Sequence, residues 1–204
     1  MRCCGKLEAF FLGLVLSLAV CAAHASDIVA DSAQLVAGGD GTYSLAADFT
    51  TNLNRRLEQA VNKGVVLYFV ADFELTRPLW YWFDQTVVQR SKTFQLSYHA
   101  LARQYRLSSG VLHQSFYSLD EALQVLSHLR HWQVIEKGEI VSDADYVART
   151  RLRLDPSLMA KTFQVSALSN RDWNQSSGWL LWNFSSHEIA LPAPAATSRD
   201  EETK

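Results

Sequence analysis

The stretch from Val65 to Tyr105 constrains this chain more than any other. Val65, Leu67, Phe69, Ala71, Phe73 and Leu75 fall at every second position, with Val66, Tyr68, Val70, Asp72 and Glu74 between them. Successive side chains of a strand point to opposite faces, so one face is continuously apolar while the other turns polar toward its end. The pattern predicts a core strand. Arg77-Pro78 then redirects the chain into an aromatic run, Leu79-Trp80-Tyr81-Trp82-Phe83, and the two-residue alternation resumes at Phe94, Leu96, Tyr98 and Ala100. This is sheet-building sequence, with no catalytic motif in it.

The N-terminus reads as an address. Arg2 and Lys6 precede an almost uninterrupted apolar run from Phe10 to Ala23, and Ala23-His24-Ala25 puts small residues at both recognition positions of a cleavage site. Residues 1–25 are therefore expected to be a secretory signal peptide, cut between Ala25 and Ser26, with the product in the periplasm or secreted. The alternative is an uncleaved inner-membrane anchor, for which the run falls short of the ~20 residues a spanning helix needs. Cys3, Cys4 and Cys21 all lie in the removed segment, so the remainder carries no thiol, disulfide or cysteine metal site. Without Arg2, Lys6 and Glu8 the rest holds 17 basic and 20 acidic residues, a net charge of −3. That balance, with no basic stripe, disfavours nucleic acid as a partner. The hydrophobic content of 48% supports one core-bearing domain over residues 26–186. Residues 187–204, rich in Ala, Pro and charge, are expected to be a disordered tail.

Between these limits the punctuation is clear. Ile28 to Ala37 and Thr42 to Phe49 flank Gly38-Gly39-Asp40-Gly41 and predict a hairpin. Thr50 or Thr51 is expected to cap a helix carrying Leu53, Leu57, Ala60 and Val61 on one side, with Gly64 at its left-handed end. Gly110 marks a turn into Val111 to Tyr117. Ser118 and Glu121 form a capping box for a second helix, whose stripe of Leu119, Ala122, Leu123, Leu126 and Leu129 is expected to run on to Trp132. Gln133 to Glu136 and Asp145 to Asp155 read as strands around the Lys137-Gly138 turn, the latter with Tyr146, Ala148, Thr150, Leu152 and Leu154 on one face and Arg149, Arg151 and Arg153 on the other. Trp179 to Ser185 is the last strand. The expected fold class is α+β, predominantly antiparallel β-sheet, curled or folded as a sandwich, with two packed α-helices.

Run in order, Leu96-Ser97-Tyr98-His99-Ala100-Leu101-Ala102-Arg103-Gln104-Tyr105-Arg106-Leu107, preceded by Tyr81-Trp82-Phe83-Asp84 and followed by Ser118-Leu119-Asp120-Glu121-Ala122-Leu123, resembles the DUF4390 domain family of exported bacterial proteins. The resemblance covers roughly Asp27 to Ser185. It implies a Gram-negative envelope protein, with an envelope protein as partner and a membrane sensor kinase among the candidates, and it brings no catalytic residues.

The residues themselves offer few chemical candidates. His128 and His131, three apart on the predicted second helix, are better read as favourable groups near a helix C-terminus than as metal ligands, and no metal or other cofactor is expected. Asp72, Glu74 and Asp84 are the carboxylates an envelope-saccharide hydrolase or ligand-binding protein would use, although an outward-facing, solvated pair meeting Arg77, Arg90 or Arg103 explains them as well. The serines lack a nucleophile elbow, and no catalytic residue is assigned. Trp80 and Trp82, with Arg103 and Arg106 as a polar rim, make the candidate binding surface of a partner-binding domain, because tryptophan and arginine are enriched at interface centres.

Overall fold

The computed structural model describes residues 28–79, 84–141, 143–161, 163 and 171–186. Among them the chain forms nine strands and two α-helices. The strands are β1 (Ile28–Ala37), β2 (Tyr43–Thr51), β3 (Leu67–Arg77), β4 (Gln85–His99), β5 (Gln104–Ser109), β6 (Leu112–Phe116), β7 (His128–Ile135), β8 (Asp145–Leu154) and β9 (Leu180–Ser185). The helices are α1 (Arg55–Asn62) and α2 (Leu119–Ser127). All strand pairs are antiparallel, in a three-stranded sheet of order β1-β2-β7 and a six-stranded sheet of order β6-β5-β4-β3-β8-β9. The expected α+β class, antiparallel sheet with two helices, is what the chain adopts.

β3 lies inside the larger sheet, between β4 and β8. Its apolar face, Leu67, Phe69, Ala71, Phe73 and Leu75, is fully buried and continues across β8 as Tyr146, Ala148, Leu152 and Leu154. The smaller sheet and both helices contribute to the same core: Leu45 and Phe49 from β2, Leu57 and Val61 from α1, Ala122 and Leu126 from α2. The Tyr43 ring of β2 meets the edge of the Phe184 ring of β9 at 5.3 Å, an aromatic contact joining the two sheets.

α1 begins one turn later than the sequence suggests. Thr50 and Thr51 are still in β2, paired with Val29 and Ile28, so neither is free to cap. Asn54 does it instead, its Oδ1 accepting from the amides of Arg56 and Leu57 at 3.1 and 3.0 Å, while its Nδ2 donates to the Asp172 carbonyl at 2.8 Å. Gly64, at φ 87°, stops the helix where a side chain would strain the backbone. Replacing Asn54 by Ala is expected to cost ~1 kcal/mol, read as a lowered urea midpoint with an unchanged slope. An Asn54→Ser variant, which keeps the cap but not the Asp172 bond, should recover part of the loss.

α2 starts at the predicted capping box: Ser118 Oγ accepts from the Glu121 amide at 3.2 Å and Glu121 Oε2 accepts from the Tyr117 amide at 3.3 Å. It ends at Ser127, five residues before the expected limit, and the chain enters β7. The helix-like spacing of Leu126, Leu129 and Trp132 has a different cause beyond Ser127. Leu129 pairs with Ala47 and Trp132 with Leu45, so three steps on β7 match two on β2. That is a β-bulge, and His131 sits in it at φ 53°. The bulge imitates a helical period by turning residues three apart to the same side. His128 and His131 are consequently strand residues rather than helix neighbours. The chain then crosses between sheets, because β7 pairs with β2 whereas β8 pairs with β3.

Candidate functional site

The second face of β3 is where paired carboxylates would have to act. In register across β4, β3 and β8 stand Ser91-Asp72-Arg151 and, one row along, Gln89-Glu74-Arg149. Asp72 is only 8% exposed. Its Oδ1 accepts from Ser91 Oγ at 2.8 Å and its Oδ2 from both Arg151 Nε and Arg153 Nε at 2.9 Å. Arg153 also donates to Asp155 Oδ2 at 2.7 Å, and Arg149 makes an ion pair with Glu74. Trp179 stacks on this ladder, its ring centre 4.6 Å from the Arg149 guanidinium carbon and 4.3 Å from that of Arg151. The expectation of a solvated Asp72 is thus corrected: the arginines come from β8, and Arg90 instead pairs with Glu139 at 2.5 Å. Trp179 is likewise a cover for arginines and not a residue of the last strand.

Burial alone would raise the Asp72 carboxyl, but hydrogen bonds from Arg153, Ser91 and Arg151 outweigh it and hold it below the ordinary value of 3.8. Burial likewise opposes, and Ser157 and Arg153 overcome, the shift at Asp155, which is also lowered. A carboxyl held ionised in this way is a poor general acid. Asp84 is exposed at the start of β4, seven residues from Ser91 and hence on the order of 20 Å along the strand from Asp72. The three carboxylates do not converge on one substrate position.

The depressed folded-state values fix a pH dependence. Stability from Asp72 and Asp155 is fully present above the unfolded carboxyl value of 3.8 and is lost as pH falls from there through the folded-state values. Urea midpoints measured from pH 6 down to pH 2 should therefore fall more steeply below pH 4 for the wild type than for Asp72→Asn. Parallel curves would contradict this assignment.

A different region collects exposed apolar surface. The four most exposed large hydrophobic side chains among the described residues are Leu101 and Val111, each 95% exposed, Tyr117 at 81% and Leu112 at 75%. All four lie on the β5–β6 hairpin or the turns that flank it. Gly110 and Val111 form a two-residue turn between the paired Ser109 and Leu112, with Gly110 at φ 60° supplying the backbone sign such a turn needs. Arg103, at φ 51°, sits in the turn before β5, and Arg106 projects from β5 opposite Ser97 and Ser115. Two of the four predicted binding residues thus stand on or beside this hairpin, Arg103 near its Leu101 and Tyr117 end and Arg106 between the two ends. Trp80 and Trp82 lie outside the described residues. Leu79 and Asp84, which bound their segment, are at the far end of β4 from Arg103, a strand of 15 residues away. Arg103 and Arg106 are not brought to that end. The signal for Val111 and Leu112 was present as turn chemistry at Gly110, whose loop tip must face solvent, but these residues read equally well as strand.

Among the described residues no three His, Cys, Asp or Glu side chains are placed to hold a metal ion, and no helix is long and apolar enough to cross a membrane. His128 Nδ1 instead lies 2.7 Å from the Gln124 carbonyl.

An antiparallel two-sheet α+β domain, with its buried carboxylate committed to arginines and its apolar exposure gathered on one hairpin, is the class these features define. The model of the DUF4390 family, a domain of unknown function, matches residues 25–183, and the chain belongs to that family. Neither the curated proteins nor the solved structures contain a match to it.

Proposed function

We propose that this chain is exported, loses residues 1–25 at Ala25/Ser26, and works in the periplasm as a non-enzymatic partner-binding domain, in the manner of a sensor accessory, adaptor or envelope-assembly factor. The observation that carries the reading is that Leu101, Val111, Leu112 and Tyr117, the four most exposed large hydrophobic side chains among the described residues, all fall on the β5–β6 hairpin and its flanking turns at the edge of the larger sheet, Leu101 and Tyr117 at one end and Val111 and Leu112 at the other. Exposed apolar side chains spread along one sheet edge, with polar groups such as Arg103 and Arg106 between them, are a usual mark of an interaction site. Trp80 and Trp82 are proposed as a second contact. A membrane sensor kinase is one candidate partner, on the family resemblance.

The test is retention of an envelope protein by the full chain, isolated after export, against a Leu101→Ser, Tyr117→Ser double variant and a Trp80→Ala, Trp82→Ala double variant. One partner should be held by the wild type and lost from the first variant, with the same melting curve for both proteins. Equal retention by the first variant moves the site away from the Leu101 and Tyr117 end of the hairpin, and no retention by the wild type overturns the reading.

A further inference from the structure

β6 is an edge strand: β5 pairs with one side of it, and no described strand pairs with the other. Such an edge offers a row of backbone donors and acceptors to any extended chain that comes alongside. Protected edges carry proline, lysine or a bulge, and Leu112-His113-Gln114-Ser115-Phe116 has none of these. Beside it lies a cleft of about 270 Å3 between the β5–β6 hairpin, β4, α2 and β7. Leu112, His113 and Gln114 all line it. Gln114 pairs with Leu107 and Leu112 with Ser109, so these four share the sheet face on which the cleft lies, and the cleft extends across β5 to the edge strand.

The lining has a definite character. Phe94, Leu107, Val125 and Leu129 make an apolar floor with Leu112 at the mouth. The charged groups that reach it are basic, Lys92 and Arg130, and no carboxylate lines it, in a protein that is acidic overall. Arg130 is already committed to Asp48 at 2.5 Å and to the carbonyls of Ala47 and Leu129. Lys92 is not: among the described residues its ammonium makes no ion pair and rests 5.6 Å from the centre of the Phe94 ring.

The geometry points to β6 as a docking edge for an extended segment of a partner protein that adds a strand to the larger sheet. Its apolar side chain enters the cleft, and a carboxylate two residues away faces the same cleft, whose positive charge Lys92 supplies from β4. The i, i+2 spacing follows from strand geometry, which returns side chains to one face every ~6.6 Å. A peptide fits better than a small molecule for two reasons. The cleft is smaller than the ~300–1,000 Å3 typical of ligand pockets, so it holds one or two side chains, and backbone pairing along the edge supplies affinity that only a chain can use. This inference rests on the partner-binding reading and gives that reading a partner chemistry.

The probe is a blocked synthetic peptide, Ser-Leu-Ser-Asp-Ser, titrated into the full chain and followed by NMR. A peptide with lysine in place of aspartate and one with a central proline serve as controls. The expected result is binding of the aspartate peptide, with shifts and slowed amide exchange confined to Leu112–Phe116 and the cleft. Lys92→Glu should weaken it at least tenfold and turn the preference toward the lysine peptide. Leu112→Ser, at a site exposed enough to spare the fold, should also weaken it, and the proline peptide should not bind. Absence of binding to the wild type overturns the inference, as does binding that Lys92→Glu leaves unchanged. The two levels of the account separate cleanly. An envelope partner held equally by the wild type and Lys92→Glu removes this cleft and leaves partner binding standing. Peptide binding at β6 with no envelope protein retained supports the edge chemistry and removes the broader reading.

Discussion

Replacing Phe73 by Ala is expected to lower the stability of this domain by about 3–5 kcal/mol. Phe73 is fully buried at the middle of β3, between strands β4 and β8, and its ring lies 6.4 Å from that of Trp182 on β9. Truncation removes the transfer free energy of the ring and leaves a cavity that neighbouring strands, fixed by ladders on both sides, cannot close. Set against a total of ~5–15 kcal/mol for a domain, the loss would bring the protein close to unfolding at 37 °C. Urea denaturation checks it directly. Phe73→Leu, which keeps most of the apolar volume, should lose much less. A cost below ~1 kcal/mol for the alanine variant would mean that β3 is not the core strand described.

Asp72→Ala should be the most damaging polar substitution, at about 2–4 kcal/mol. Removing one member of a buried ion pair typically costs ~3–5 kcal/mol, because the remaining charge stays desolvated without a partner. Here Arg151 and Arg153 keep 31% and 29% of their side-chain exposure, which lets water take over part of the role and lowers the figure. The ladder also explains which partner change hurts less: Arg149→Ala leaves Asp72 satisfied and should cost less than Asp72→Ala. If the two variants were equally stable, the three-donor arrangement at Asp72 would not be a unit.

How much of this could be read from residues alone depends on whether the signal is local. The alternation of β3 and of β8, the glycine turn after Ala37, and the capping box at Ser118 are each encoded within ten or so residues, and each appears as expected. Asp72 was misread because its burial is decided by Arg151 and Arg153, about eighty positions away. Alternation says that a residue faces outward, and cannot say that three side chains and an indole will cover it. β7 was misread for a geometric reason, since a bulge at His131 gives a strand the three-residue period of a helix. The exposure of the β5–β6 hairpin was missed because Val111 and Leu112 have the composition of a core strand, and only the pairing order shows that β6 ends the sheet.

The exposure along this hairpin also limits what substitutions there should do to folding. Leu101, Val111 and Tyr117 bury almost nothing in the isolated chain, so polar replacements are expected to change stability by less than ~0.5 kcal/mol. Any large functional effect they have would therefore report on contacts outside the domain.

The most direct test of the partner-binding account is site-specific photo-crosslinking in cells that express the full chain. A benzophenone amino acid is placed in turn at Val111, beside the β6 edge, and at Val36, an exposed apolar residue on β1 of the other sheet. The account predicts a discrete crosslinked product containing a second protein from position 111 and none from position 36. Equal products from both positions, or a product from position 36 alone, would contradict it.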